Sequence, residues 1–257
     1  MPKPRVAAVI PARMEASRFP GKPLANILGM PMVEHVRRRV SLSTAVDDVY
    51  VATCNIEILE AVERYGGKAI MTANTHQRCT DRVEEAAGNI NADIIMIVQG
   101  DEPLLDPAML ALLIEPMLDD DNVQCVNLLS VIRDKEDLLD VDIVKTVLNG
   151  DNCVMYYSRS PIPHFRVDNN CAMYRQTGLS AFTKTFLRQY SNLPPTPLEV
   201  AESVDFLRIL EHGYRIQGVI YGMETVGVDR YDDIQKVEKI LSEDPEQKKI
   251  LNKILTA

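Results

Sequence analysis

Three cations follow the first apolar segment of the chain and could bind a polyphosphate. Arg13, Arg18 and Lys22 lie in the segment PARMEASRFPGKPL, residues 11–24. Guanidinium groups pair with phosphate oxygens through two hydrogen bonds at once, and a lysine adds a compact positive charge. The GxxxxGKS/T pattern of a Walker A loop is absent. The segment therefore predicts a phosphate-binding loop of another kind, and the alternative is an ordinary solvated basic loop.

Two aspartates follow apolar segments and could hold a divalent cation. Asp101 lies in QGDEP (99–103), directly after an apolar run at 94–98, and Asp229 follows a strand-like segment at 225–228. Mg²⁺ takes one or two carboxylates together with phosphate oxygens, so the pair predicts a magnesium site. Each residue alone has a structural alternative, since Asp101 suits a turn and Asp229 suits a helix cap.

A further cation lies in a proline-rich segment. Arg159 is part of SRSPIP, residues 158–163, in which two prolines restrict the backbone. An arginine held in this way could bind the carboxylate of a substrate, and a surface arginine in a turn is the alternative. The chain has neither a nucleophile elbow nor the Cys and His spacing of a zinc site.

The elements that must position these residues alternate between strand and helix. Short apolar runs predict strands at 6–10, 49–52, 69–71 and 94–98. Helical spacing and capping residues predict helices that begin near Pro31, Asn55, Asp81 and Asp106. In the first helix, the spacing places Arg37, Arg38 and Arg39 away from the apolar face. The alternation predicts an α/β fold with a mostly parallel sheet and helices on both faces, in which ligands bind beyond the carboxyl ends of the strands.

After residue 129 the pattern becomes mixed. We expect strands at 143–148, 154–158 and 178–182, a helix at 198–212, and a return to strand at 216–220. A helix from about Tyr231 and a lysine-rich terminal helix follow. We interpret the chain as a single domain, residues 1–257, with a lobe inserted over about 130–213.

Composition limits the partners that the protein can have. Thirty-seven acidic and 28 basic side chains give a formal charge of −9, which disfavours binding to nucleic acid or to an anionic membrane. Five cysteines without a CxxC pair indicate a reducing compartment. No stretch reaches the apolar length of a membrane span. We therefore expect a soluble cytoplasmic protein whose core needs no disulfide bonds.

Taken together, these segments resemble one family of nucleotide-sugar enzymes. The strings at 10–24, 98–103 (VQGDEP), 158–163, 194–199 (PPTPLE) and 227–229 (GVD) are similar, in order and spacing, to those of the 3-deoxy-manno-octulosonate (KDO) cytidylyltransferases, also called CMP-KDO synthetases. The resemblance implies a Rossmann-like nucleotidyltransferase fold and a homodimer formed through the lobe. It also implies that CTP and a small acidic sugar give a CMP-sugar and pyrophosphate with Mg²⁺, as a step of lipopolysaccharide biosynthesis.

The resemblance also implies roles for individual residues. Lys22, Asp101 and Arg13 are implied to be catalytic, and Asp101 and Asp229 are implied to hold Mg²⁺. The residues implied in nucleotide binding are Arg13, Arg18, Lys22, Thr80, Arg82 and Gln99. The residues implied in acceptor binding are Arg159, Gln176, Ser180, Glu199 and Phe206.

Three segments depart from the family pattern. Residues 176–180 read QTGLS where the family has His-x-Gly-Ile-Tyr, 205–208 read DFLR instead of EQLR, and 78–82 read RCTDR instead of SGTDR. Hydrogen-bonding sites discriminate strongly between substrates, so we expect the acceptor to be KDO or a KDO-like acid such as 8-amino-KDO. The alternatives are another acid (a phosphonate or another 2-keto-3-deoxy sugar acid), a metal-dependent glycosyltransferase of GT-A type, or a non-catalytic nucleotide-binding module.

Overall fold

The computed structural model describes residues 3–15, 19–167, 171–222 and 226–256. The chain divides into two units, of which the first is Met1–Ala111 with Thr225–Ala257 and the second is Leu112–Glu224. The lobe that the sequence predicts over about 130–213 lies within the second unit, and its insertion into a single domain stays a prediction. No helix in the described part of the chain is long and apolar enough to span a membrane.

Strands and helices alternate along most of the chain. The strands are β1 (Val6–Ala12), β2 (Asn26–Ile27), β3 (Met30–Pro31), β4 (Asp48–Thr53), β5 (Lys68–Met71), β6 (Ile94–Val98), β7 (Cys125–Ile132), β8 (Lys145–Leu148), β9 (Val154–Ser158), β10 (Met173–Thr183) and β11 (Gln217–Tyr221). The α-helices are α1 (Met32–Ser41), α2 (Ile56–Arg64), α3 (Cys79–Gly88), α4 (Ala108–Asp119), α5 (Lys135–Leu139), α6 (Lys184–Ser191), α7 (Pro197–Glu202), α8 (Phe206–Glu211), α9 (Asp233–Glu243) and α10 (Pro245–Leu255). A short 3₁₀ helix covers Lys22–Leu24.

The first unit is organised by a parallel sheet in the order β6-β1-β4-β5. Every residue of β1 and β6 is buried, as expected for continuous apolar strands covered on both faces. Helices α1, α2 and α3 pack against the sheet. The predicted alternation of parallel strands and helices is therefore confirmed in this unit. Because β1 and β6 are neighbours, the loops that follow Ala12 and Val98 leave the same edge of the sheet.

The terminal helices fix a second loop of the first unit. Val228 and Leu104 are buried in one hydrophobic cluster with residues of α9 and α10. Since Val228 directly precedes Asp229, burial of its side chain holds the backbone of that aspartate next to the loop that follows β6. The strand predicted at 225–228 is wrong for the described residues 226–228, which are irregular. Side-chain burial, and not strand pairing, positions this segment.

Two expectations about helices in the first unit are corrected. Asn55 precedes α2 without a side-chain capping bond, because its Oδ1 accepts a hydrogen bond from the Met14 amide at 3.0 Å. Arg39 does not lie on a solvent face. Its side chain is fully buried, its Nη1 donates to the Leu105 carbonyl at 3.0 Å, and burial lowers its pKa to about 10. Both residues therefore hold loops that border the sheet edge.

The second unit is organised by a mixed sheet around β7. Strand β7 pairs antiparallel with β10 and parallel with β11, and β8 pairs antiparallel with both β10 and β9. The sequence predicts neither β7 nor α6. The core of the second unit is aromatic, since Phe182 stacks on Phe186 and Tyr190 and packs edge-on against Phe206.

The helix predicted at 198–212 is wrong as a single element. Helices α7 and α8 replace it, and Ser203 between them has a left-handed backbone with φ of 53°. The Val204 amide donates to the Glu199 carbonyl at 3.2 Å, which closes α7 and redirects the chain. A left-handed residue ends a helix in this way because it turns the following amide back onto the last turn.

Candidate active site

A cavity of about 400 Å³ lies in the first unit at the carboxyl ends of β1 and β6. The residues that line it come from the loop after β1, the loop after β6, the start of α3 and the segment before α9. Its location agrees with the general preference of parallel sheets for ligands beyond the strand ends. The predicted site residues that line it are Arg13, Lys22, Arg82, Gln99, Asp101 and Asp229.

Lys22 connects the two loops that carry the aspartates. Its Nζ donates to Asp101 Oδ2 at 2.6 Å and to the Val228 carbonyl at 2.8 Å. Gly21, which precedes the 3₁₀ helix, has a φ of 76°, and its amide donates to the Met14 carbonyl. Glycine adopts this backbone without steric cost. The loop therefore turns back at Gly21 and directs Lys22 toward the end of β6.

Two carboxylates in this cavity suit a hard divalent cation. The Val228 amide donates to the Asp101 carbonyl at 2.9 Å, so the segments that carry Asp101 and Asp229 are joined through the backbone. The amide of Asp229 donates to Asp233 at the start of α9. Within the described ranges, no cluster of three or more Asp, Glu, His or Cys forms a complete metal site. Mg²⁺ takes one or two carboxylates and completes its shell with phosphate oxygens and water, so the chemistry of this pair suits it.

Of the predicted nucleotide residues, some line the cavity, one is buried away from it, and one lies outside the described residues. Gln99 is half-buried, and its Nε2 donates to Cys79 Sγ at 3.3 Å. Arg82 is buried and its Nη1 donates to Thr72 Oγ1 at 2.5 Å. Thr80 is buried in α3 and is not among the residues that line the cavity. Arg18 lies outside the described residues.

Sequence reasoning gave no role to several residues that line this cavity. Arg78 and Cys79 lie at the start of α3, within the string that departs from the family pattern. His76 also lines the cavity and pairs with Glu85. The hydrogen bond from His76, supported by one from the Ala73 amide, lowers the pKa of Glu85. The departure from the family pattern at 78–79 points to Arg78 and Cys79. A single histidine in a loop, such as His76, gives no comparable indication in the sequence.

The predicted acceptor residues belong to the second unit. Arg159 follows β9 and is half-buried, and main-chain carbonyl oxygens bind its guanidinium group. Gln176 and Ser180 lie on β10, on either side of an irregularity in its pairing with β7. Such an irregularity changes the direction in which the strand presents its side chains. Gln176 is half-buried, and Ser180 is buried.

Glu199 and Phe206 make structural contacts within this unit. Glu199 is fully buried, and its two oxygens accept hydrogen bonds from Arg208 at 2.6 and 2.7 Å. It also accepts a bond from the Thr196 amide at the start of α7. Phe206 is 5% exposed and packs edge-on against Tyr157. Both side chains are buried in this unit, and their contact with a substrate stays a prediction.

Known proteins of one family share this sequence and fold. The cytidylyltransferase family matches residues 7–216. A 3-deoxy-manno-octulosonate cytidylyltransferase of Geobacter metallireducens is 41% identical over 249 residues, which cover 93% of this chain and 98% of the relative. One of Geotalea uraniireducens is 40% identical over 91% of this chain and 97% of the relative.

A solved structure extends the match to the whole architecture. The structure of CMP:2-keto-3-deoxy-manno-octonic acid synthetase complexed with CTP superposes with a TM-score of 0.89 at 36% identity, and covers 93% of this chain and 99% of that chain. The predicted fold class and the resemblance noted from the sequence are therefore confirmed. With the sequence match, the fold and the cavity at the strand ends in agreement, this chain is a nucleotidyltransferase that belongs to the cytidylyltransferase family.

Proposed function

We propose that this protein transfers the cytidylyl group of CTP to the anomeric hydroxyl of KDO and releases pyrophosphate, with Mg²⁺ as cofactor. The observation that carries the proposal is the contact between Lys22 and Asp101 in a cavity that Arg13 and Asp229 also line. Cations next to a pair of carboxylates suit a triphosphate with its metal ion. The relatives named as KDO cytidylyltransferases supply the choice of acceptor.

The cavity residues have separate roles in this reaction. Lys22 and Arg13 bind the triphosphate and neutralise the charge that grows on the leaving pyrophosphate. Asp101 and Asp229 would hold Mg²⁺, which neutralises charge on the phosphate oxygens when it is bound. Gln99 binds the nucleoside end of CTP. The anomeric hydroxyl of the acceptor attacks the α-phosphorus in line, so catalysis depends mainly on positioning and charge.

The acceptor site belongs to the second unit. Arg159 binds the carboxylate of the sugar, and Gln176 provides polar contact next to the irregularity of β10. The changes from the family pattern at Gln176 and Ser180 alter the hydrogen-bonding groups offered to the sugar. This difference favours 8-amino-KDO as a second candidate acceptor, because a site of this kind selects for matching polar groups.

Location and assembly are part of the same proposal. We infer a homodimer formed through the second unit, which the family resemblance supports, and a cytoplasmic location. None of the five cysteines forms a disulfide bond, as is usual for a protein of a reducing compartment. Light scattering after size-exclusion chromatography tests the dimer, and a mass equal to one chain would contradict it.

A pyrophosphate-release assay with CTP, Mg²⁺ and a panel of acceptors tests the activity. We expect release with KDO or 8-amino-KDO. Release with only another acid, such as a phosphonate, would correct the acceptor and keep the reaction. A glycosyltransferase would instead consume a nucleotide sugar without pyrophosphate, and a binding module would bind CTP without turnover. Asp101→Asn is the matched inactive control, and normal turnover in that variant would remove Asp101 from the metal site.

A further inference from the structure

Lys145 is a lysine in the interior of the second unit. Its side chain is fully buried, and its Nζ donates to the carbonyl oxygens of Asp140 at 2.6 Å, Ile143 at 2.8 Å and Arg159 at 2.5 Å. An ammonium group has three protons to donate, so these carbonyls satisfy it completely. No carboxylate of the described residues forms an ion pair with it. Burial lowers the pKa of Lys145, and the dipoles of the three main-chain carbonyls stabilise its charged form.

The same loop anchors the guanidinium group of Arg159. Its Nη1 donates to the Val141 carbonyl at 2.8 Å, and its Nε donates to the Glu202 carbonyl at 2.7 Å. Lys145 thus bonds both the peptide of Arg159 and the loop on which that guanidinium rests. Among the described residues, Nη2 of Arg159 has no hydrogen-bond partner. These two bonds fix the plane of the guanidinium and leave Nη2 available to a ligand.

Glu202 fixes the backbone of this segment and leaves the guanidinium charge in place. Its Oε1 accepts a hydrogen bond from Ser158 Oγ at 2.7 Å, and its Oε2 accepts one from the Arg159 amide at 2.8 Å. The carboxylate makes no direct contact with the guanidinium group. Glu202 therefore orients the peptide of Arg159 without occupying its guanidinium group. An arginine that is held rigidly by main-chain carbonyls, with Nη2 open, is suited to bind a carboxylate.

We propose that Lys145 and Glu202 are positioning residues for recognition of the acceptor carboxylate by Arg159. Lys145 holds the loop and the peptide that orient the guanidinium and adds a second positive charge, and Glu202 fixes the Arg159 amide. This proposal rests on the proposed function, because it takes Arg159 as the group that binds the acid. Neither residue touches the substrate, so both act through Arg159.

Steady-state kinetics of Lys145→Met and Glu202→Gln test the proposal, with Lys135→Met, an exposed lysine of the same unit, as the control. We expect Lys145→Met to raise the KM for KDO by about tenfold, as for loss of one charge-assisted hydrogen bond to the acid. Glu202→Gln should raise it by about threefold, since a neutral amide keeps one of the two contacts. The KM for CTP should stay unchanged in all three variants.

A neutral acceptor analogue separates positioning from general loosening of the structure. The C1 amide of KDO lacks the carboxylate, so its inhibition constant should be the same in the wild type and in Lys145→Met. Equal losses for KDO and the amide, equal rises in the KM for KDO and CTP, or an unchanged KM for KDO in folded Lys145→Met would each overturn the proposal. If Lys145→Met does not fold, Glu202→Gln decides by the same criteria. Wild type that gives no pyrophosphate with KDO would instead contradict the proposed function, and this inference with it.

Discussion

Substitution of Lys22 by methionine separates the structural role of this residue from the catalytic role that we propose for it. The side chain is 15% exposed, and its Nζ makes two hydrogen bonds, one with the carboxylate of Asp101 and one with the Val228 carbonyl. Methionine keeps much of the length and the apolar stem of lysine but removes the charge and all three donors. The variant therefore loses the connection between the two loops and the cation that we propose to bind the triphosphate.

The two effects differ in size. A hydrogen bond that involves a charged group contributes about 1.5–3 kcal/mol. Asp101 is 33% exposed, so water replaces part of the lost contact, and we expect the free energy of unfolding to fall by about 1 kcal/mol. Loss of one preorganised group that stabilises transition-state charge lowers kcat by about 100-fold to 1000-fold. The expected fall in kcat is therefore larger than the expected fall in the free energy of unfolding can explain.

Two measurements on the same sample check this prediction. The chain has no tryptophan, so urea unfolding should be followed by far-ultraviolet circular dichroism. Pyrophosphate release from CTP gives kcat. Lys3→Met, at an exposed position of the same unit, is the matched control and should leave both quantities unchanged. A folded Lys22→Met with near wild-type kcat would refute the role assigned to Lys22.

Two further substitutions test whether ion pairs stabilise the fold. Arg208→Met leaves the buried Glu199 carboxylate without its cation and should lower the free energy of unfolding by about 3–5 kcal/mol. Adding Glu199→Gln should recover part of that loss, and equal urea midpoints for the two variants would contradict the pairing. Hydrogen bonds from Lys68 and Arg5 lower the pKa of Asp48 below its ordinary value of 3.8. Its contribution to stability is therefore present above that value and lost as the pH falls through the folded-state pKa. Asp48→Asn should reduce stability at pH 7 and converge with the wild type in acid, and a constant difference across the titration would refute this linkage.

The parallel strands of the first unit could be predicted because each is a continuous apolar run with a clear end. Strand β6 has the bounds that the sequence gives for it, and the residues after it enter the cavity. Strand β7 carries the buried polar residues Asn127 and Ser130, which interrupt the apolar pattern. Asn127 is satisfied by the Leu179 carbonyl and the Tyr157 hydroxyl. Those partners are far away in the sequence, so no local pattern shows that the strand can be buried.

The cavity residues show the same limit. The motifs identify Lys22 and Asp101 separately, but their contact joins positions 79 residues apart and depends on the strand order. The burial of Glu199 depends on Arg208, which a sequence pattern does not pair with it. Two of the carbonyls that hold Lys145 lie within five residues of it, but the third belongs to Arg159, which follows the neighbouring strand β9. Residue types and spacing thus predict the chemistry, whereas the partners that orient each side chain emerge only from the fold.

Identification of the reaction product decides whether this protein makes CMP-KDO. The wild-type protein should be incubated with CTP, Mg²⁺ and KDO, and the mixture analysed by mass spectrometry and ³¹P nuclear magnetic resonance. We expect a CMP-KDO conjugate with a single phosphodiester signal, formed together with an equal amount of pyrophosphate. Recovery of unchanged CTP, or of free CMP without a conjugate, would contradict it.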